Sequence, residues 1–106
     1  MYWCSNLYYG SNAALNKKDI LKSLKHKKWA MGIYIITLSD NDKNLLDIYD
    51  TIQFKQSKFR HNKLKAVGIA IGKDEAYELV AAIIDDVYKN TGSLNVKAYF
   101  SGKFNK

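Results

Sequence analysis

Apolar and polar residues along the chain follow two spacings, and the switches between them mark the elements. Residues 2–9, rich in Tyr and Trp, read as a short strand or a packed arm. Ile20, Leu21 and Leu24 then form a narrow apolar stripe at helical spacing. Asn16 stands ahead of it as a cap, with Asp19 in the first turn and Lys27 and Lys28 near the end, where their charges suit the helix dipole. A helix is predicted over roughly 14–28. GIYIITL at 32–38 is β-branched and aromatic and reads as a strand, followed by the turn chemistry of SDNDKN.

LLDIYDTI at 45–52 fits two periods. Helical spacing selects Leu45, Ile48, Tyr49 and Ile52; alternation selects Leu46, Ile48, Ile52 and Phe54 but puts Asp50 on the same side. The short turn before it favours a hairpin, so a strand is expected. Residues 55–63 read as a loop or a short helical piece. In AVGIAI, 66–71, Val67, Ile69 and Ile71 line one face and Ala66, Gly68 and Ala70 the other. Apolar residues on both sides mark a central strand, and the small-residue face admits a closely packed helix. Ala76, Leu79, Val80, Ile83, Ile84 and Val87 set the buried stripe of a helix over 73–90, ended by Gly92. NVKAYF, 95–100, alternates as an exposed strand does, and the span from 66 is long enough for a right-handed parallel crossover.

These elements predict one α+β domain over residues 1–106: a small mixed β-sheet, built from a hairpin and a βαβ crossover, packed against one long and one shorter helix. The first helix either joins the layer of the second or covers the other face. An edge strand at 95–100 offers a route to a homo-oligomer.

Composition narrows the class. With 106 residues, 47% hydrophobic and 25% charged, the chain supports one core and is not a disordered segment. There is no proline, so turns fall to Gly, Asn, Asp and Ser. Cys4 is the single cysteine, which excludes an intrachain disulfide and favours a reducing compartment. MYWCSNLYYG lacks the basic segment and apolar core of a signal peptide, and WAMGIYII is far short of a membrane span. A cytoplasmic protein that engages no membrane is expected.

The net charge of +7 is unevenly placed. Residues 17–28 carry six lysines and one aspartate, and residues 55–65 four lysines and Arg60 without an acid. Acids gather at 40–50 and 74–86. Two basic segments brought together would make one positive face for an acidic protein surface or a nucleic-acid backbone. The candidate binding residues are Lys18, Lys22, Lys25, Lys28 and Trp29 from the first segment. Lys55, Lys58, Phe59, Arg60 and Lys63 come from the second. Phe54, Phe59 and Trp29 could stack on bases or pin the loop to the core. One arginine among seventeen cations limits bidentate base reading, so nucleic-acid contacts would fall on phosphate and be salt-sensitive.

Other chemistry is sparse. GIAIGKDEAYELV, 68–80, has the strand–glycine–helix order of a phosphate loop, but Gly68 and Gly72 are separated by three residues and Lys73 is followed by Asp74. Asp74 and Glu75 occupy the turn that an anion would need, and Gly72 with Glu75 reads as a capping arrangement. DNDKNLLDIYDT, 40–51, opens like a calcium loop but has Leu45 and Thr51 where glycine and glutamate belong. Cys4, His26 and His61 cannot alone build a zinc site, although a Cys–His pair would be nucleophilic if the fold joined them. No metal or cofactor is implied. His61, beside Arg60 and Lys63, is the one catalytic candidate. With Asp47 or Asp50 it would resemble a phosphodiester-cleaving group of base, cation and orienting acid. A non-enzymatic binding protein is the leading expectation, a nucleic-acid-binding protein the second, and a small phosphodiesterase or nuclease the third.

The stretches NLYYG, GIYIITL, NLLDIYD, VGIAIGKDEAYELV and VYKNTG together resemble a group of small uncharacterised proteins of low-GC Gram-positive bacteria, some carried on prophages or conjugative elements. The resemblance covers most of residues 5–100. It implies an accessory protein of a mobile element and carries no catalytic residue with it.

Overall fold

The computed structural model describes residues 1–41, 43–56 and 58–106; Asp42, part of the predicted turn and of the calcium-like stretch, lies outside them. The elements in chain order are β1 (Tyr2–Tyr9), a 3₁₀ turn (Ala13–Asn16), α1 (Lys17–Lys25), β2 (Ile33–Leu38), β3 (Leu46–Asp50) and a second 3₁₀ turn (Thr51–Lys55). Then follow β4 (Lys65–Ile71), α2 (Lys73–Thr91), α3 (Val96–Phe100) and β5 (Phe104–Asn105). The five strands form one mixed sheet in the order β3-β2-β4-β1-β5. β1 and β4 run parallel, and the other neighbours are antiparallel. The α+β class, the mixed sheet, the hairpin of β2 with β3 and the central place of β4 agree with the pattern read from the chain.

The sheet has a helical layer on each side. α2 and α3 cover one face, where Ala76, Leu79, Ile83 and Val87 meet Ile36, Val67 and Ala70. α1 covers the other with the 51–64 segment, where Leu24, Trp29 and Phe54 pack on Trp3, Ile35, Ala66 and Ile69. Gly68 shows why a small residue sits on the α2 side: a Cβ there would stand 3.1 Å from Leu79 and 3.2 Å from Ile83. The predicted faces of β4 hold only in part. Ile36 pairs with Gly68 and Thr37 with Ala66, so Val67 is an extra residue in β4. This bulge puts Val67 with the α2-side core and Ile69 with the α1-side core, whereas strict alternation places them together.

Residues 95–100 are a helix and not the expected exposed strand. Asn95 caps it, its side chain accepting from the Ala98 amide at 3.1 Å. The helical step buries both Val96 and Phe100, which alternation also selected. The last strand is instead β5, antiparallel to β1 on the side away from β4, so the parallel crossover expected from β4 to residues 95–100 is not made. With 95–100 helical, the predicted pairing edge is absent, and the sheet edges belong to β3 and β5. α2 ends at Gly92 in the left-handed conformation, as expected, with its amide donating to the Tyr88 carbonyl at 2.7 Å. Among the described residues no helix is long and apolar enough to cross a membrane.

Thr37 is fully buried on β2, and among the described residues its hydroxyl has no hydrogen-bond partner. Thr37→Val keeps the shape and removes the stranded hydroxyl, so its urea midpoint should rise by the equivalent of about 1 kcal/mol. A lowered midpoint would mean that the hydroxyl has a partner in solution.

Candidate basic face and adjoining pocket

Both basic segments lie in the layer opposite α2, except that Lys63 and Lys65, at the end of the second, turn to the α3 side. α1 carries Lys17, Lys18, Lys22 and Lys25 on its exposed surface, with Lys27 and Lys28 just beyond. The second segment crosses the same face because Phe54, Phe59 and Leu64 anchor it to the α1-side core. Lys55, Lys58, Arg60 and Lys63 stay exposed. Among the described residues, no lysine or arginine of either segment is within 4 Å of a carboxylate; the ion pair that forms is Lys89 with Asp85, at 2.9 Å on α2. α2 itself carries five acids and two lysines. The sheet therefore separates a strongly basic layer from an acidic one.

The aromatic candidates have a different role. Trp29 is 8% exposed and Phe54 4%. Trp29 meets Phe54 edge-on at 5.0 Å, and Phe59 packs on Tyr49 and Phe54. All three rings hold the basic loop against the sheet, and Trp29 and Phe54 offer no open ring face on the outer surface for stacking on bases.

The segments meet at the C-terminal end of α1. There Trp3, Leu24, Trp29 and His61 floor a cavity of about 310 Å³, with Lys25, Lys27 and Lys106 at its margin. Lys106 arrives because β5 pairs with β1. Lys27 is placed by the end of α1: the Lys27 amide donates to the Leu24 carbonyl at 3.0 Å, and the Lys28 amide to that of Ser23 at 2.9 Å. This is a Schellman closure with Lys27 at the left-handed position, φ 59°. Lys63 faces elsewhere, into a hollow at the other side of the loop with Asp40 and Lys65. Lys22 and Lys28 border a shallow third hollow beside Asp19 and His26.

His61 does not join the triad expected of it. Its ring stacks on Phe54 at 5.1 Å and meets Trp29 edge-on at 5.1 Å. Its Nδ1 is shielded and has no partner of good hydrogen-bond geometry among the described residues. Burial lowers its pKa, and the nearby charges of the Met1 amino group and Lys27 lower it further, against an opposing pull from the Phe59 backbone. Asp50 is engaged elsewhere: its carboxylate accepts from the amides of Gly32, at 3.3 Å, and Ile52, at 3.2 Å. Asp47 makes no hydrogen bond with His61. The Cys–His pair is not formed either, since Cys4 packs into the α2-side core, while His61 sits with the aromatic rings of the other layer and His26 is exposed on the end of α1.

The Gly72–Glu75 capping arrangement forms with a shifted partner. Glu75 Oε2 accepts from the Ile71 amide at 2.7 Å, and Gly72 donates instead to the Gly32 carbonyl at 2.8 Å. The same carboxylate accepts from Asn12 and Ala13 amides and the Ser11 hydroxyl. The chain's own carboxylate thus takes up the amides at the end of β4 and in the loop after β1.

Among the described residues, no three of His, Cys, Asp and Glu come together to hold a metal. No family model, curated protein or solved structure matches the chain.

Trp3, Lys27 and Lys106 were not selected from the sequence. Trp3 and Lys106 reach the cavity only through the pairing of β1 with β4 and β5, which leaves no local trace. Lys27 did leave one: it stands at the helix stop, where glycine is the usual residue.

Proposed function

We propose that this chain is a non-enzymatic cytoplasmic binding protein that docks an acidic protein surface on its α1 layer. The reading rests on one observation: the two basic segments, apart from Lys63 and Lys65, lie over the same sheet face, and among the described residues no carboxylate is within 4 Å of their charges. Cations held apart from counter-charges on a folded surface raise the local potential and favour an anionic partner. Leu15 and Met31, 77% and 78% exposed, flank α1 and favour protein over nucleic acid, since they offer apolar contacts that a phosphate backbone cannot use. The burial of Trp29 and Phe54 points the same way, because stacking on the bases of a nucleic-acid strand needs open ring faces on the outer surface. The resemblance to proteins of prophages and conjugative elements suits an accessory role on such an element.

The test is fluorescence anisotropy with a labelled amphipathic peptide of glutamate and leucine, set against a labelled DNA duplex. The peptide should bind more tightly. Lys18→Glu with Lys22→Glu should weaken it by roughly tenfold, and Leu15→Ser should weaken the peptide alone. Tighter duplex binding, with log affinity falling linearly in log salt, would replace this reading by the nucleic-acid one. No binding of either probe at low salt would remove both.

A further inference from the structure

The cavity beside α1 has a composition that the basic face does not explain. A surface that only attracts acidic protein needs exposed lysines and no concavity. Here the floor is the two tryptophans of the chain with Leu24 and His61, and three lysines stand at the margin. The volume of about 310 Å³ is at the small end of the range for ligand pockets, which are typically roughly 300–1,000 Å³. Aromatic edges and faces suit a planar apolar body, and a lysine margin suits an anionic group attached to it.

The backbone adds an independent reason. Lys27 holds a left-handed conformation at φ 59°, which glycine adopts freely and other residues rarely do. Strain of this kind tends to persist where a side chain is needed in place. The Schellman closure points the chain back across the end of α1, so the residue that bears the strain is also one that borders the cavity. His61 keeps the floor uncharged near neutral pH, because burial among the rings opposes its protonation. The positive charge is left at the margin and the floor remains apolar.

We propose that this pocket is a binding site for a small planar anion, an aromatic carboxylate or a nucleoside monophosphate, held by ring contacts with Trp3, Trp29 and His61 and by the ammonium groups of Lys27 and Lys106. The inference is independent of the docking proposal, since it concerns a separate concavity and a small ligand.

Both tryptophans line the site, so intrinsic fluorescence reports on it without a label. Four probes are titrated: benzoate, adenosine monophosphate, inorganic phosphate and benzyl alcohol. A saturable change with benzoate or the monophosphate, and none with phosphate or benzyl alcohol at equal concentration, is the expected result; which of the first two binds tells carboxylate from phosphate ester. Lys27→Gly and Lys106→Gln should each weaken binding about threefold to tenfold. Lys27→Gly should also raise the thermal midpoint by several degrees, because glycine relieves the left-handed strain. A variant that is more stable yet binds less well is not what a purely structural lysine would give. The proposal fails if neither benzoate nor the monophosphate acts up to about 10 mM. Phosphate binding as well as the monophosphate would show that the rings take no part, and benzyl alcohol binding as well as benzoate would show that the lysines take none. Unchanged affinity in both lysine variants would overturn it too.

Discussion

Glu75→Gln should destabilise the protein by about 3 kcal/mol or more, an effect unusual for replacement of a glutamate by its amide. Glu75 is 7% exposed and takes hydrogen bonds from the Ile71, Asn12 and Ala13 amides and the Ser11 hydroxyl, at 2.7 to 3.3 Å. It ties the first turn of α2 to the end of β4 and to the loop after β1. Glutamine keeps one acceptor oxygen and turns an NH₂ group toward N–H donors, so buried donors lose their partners. The pH dependence follows from the same bonds. Burial alone would raise the pKa, but the hydrogen bonds together hold it below the ordinary value of 4.5. In the unfolded chain the carboxylate takes up its proton first as pH falls. Its contribution is therefore complete above about pH 4.5 and is lost on acidification through the lower folded value. Urea unfolding of the natural chain should weaken over that acid window, and Glu75→Gln should flatten the dependence. A cycle with Gly10 isolates the contact: a Cβ at Gly10 would lie 2.3 Å from Glu75 Oε2. Gly10→Ala should thus cost much less in a Glu75→Ala background than alone. Equal costs in both backgrounds would show that the carboxylate does not occupy that space.

Local signals carried most of the architecture. The 3.6-residue stripe of α2, its stop at Gly92 and the β-branched run of β2 each depend on neighbours within a few residues, and each formed where the pattern placed it. Residues 95–100 failed for a physical reason. Val96 and Phe100 share a side both by alternation and by a helical step of four, and the capping bond of Asn95 decided between the two. The bulge at Val67 had no signature, since it answers to the irregular register of β1 against β4 rather than to its own residue type. The site divides in the same way. Lysines that stay exposed were legible as lysines. The placing of Lys106 against the end of α1 depends on a strand pairing about a hundred residues apart in sequence, which periodicity does not encode. Glu75 could be read as a cap, but its reach to Ser11, Asn12 and Ala13 could not.

Trp29→Ala is expected to cost about 3–5 kcal/mol, enough to leave a domain of ordinary stability partly unfolded. The side chain is 8% exposed, lies edge-on to Phe54 and to His61, and belongs to the core that seats both α1 and the basic loop. Truncation opens a cavity under both segments at once, and the loop between residues 55 and 64 loses the wall against which Phe54 and His61 rest. Trp29→Phe, which retains an aromatic edge, should cost clearly less, and Lys28→Ala, next in sequence but exposed, should stay within about 0.5 kcal/mol. Urea unfolding followed by far-ultraviolet circular dichroism measures all three without relying on the removed fluorophore. A Trp29→Ala protein that unfolds at the natural midpoint would show that the ring is not part of the core, and would return it to the set of residues free to contact a partner. The expected loss has a consequence for any binding assay. On the proposed reading the lysines of the two segments would act as one face only while Trp29 and Phe54 hold the loop beside α1, so lost binding in Trp29→Ala would report a collapsed scaffold. Charge reversal at Lys18 and Lys22, which leaves that core intact, separates the surface from the ring that positions it.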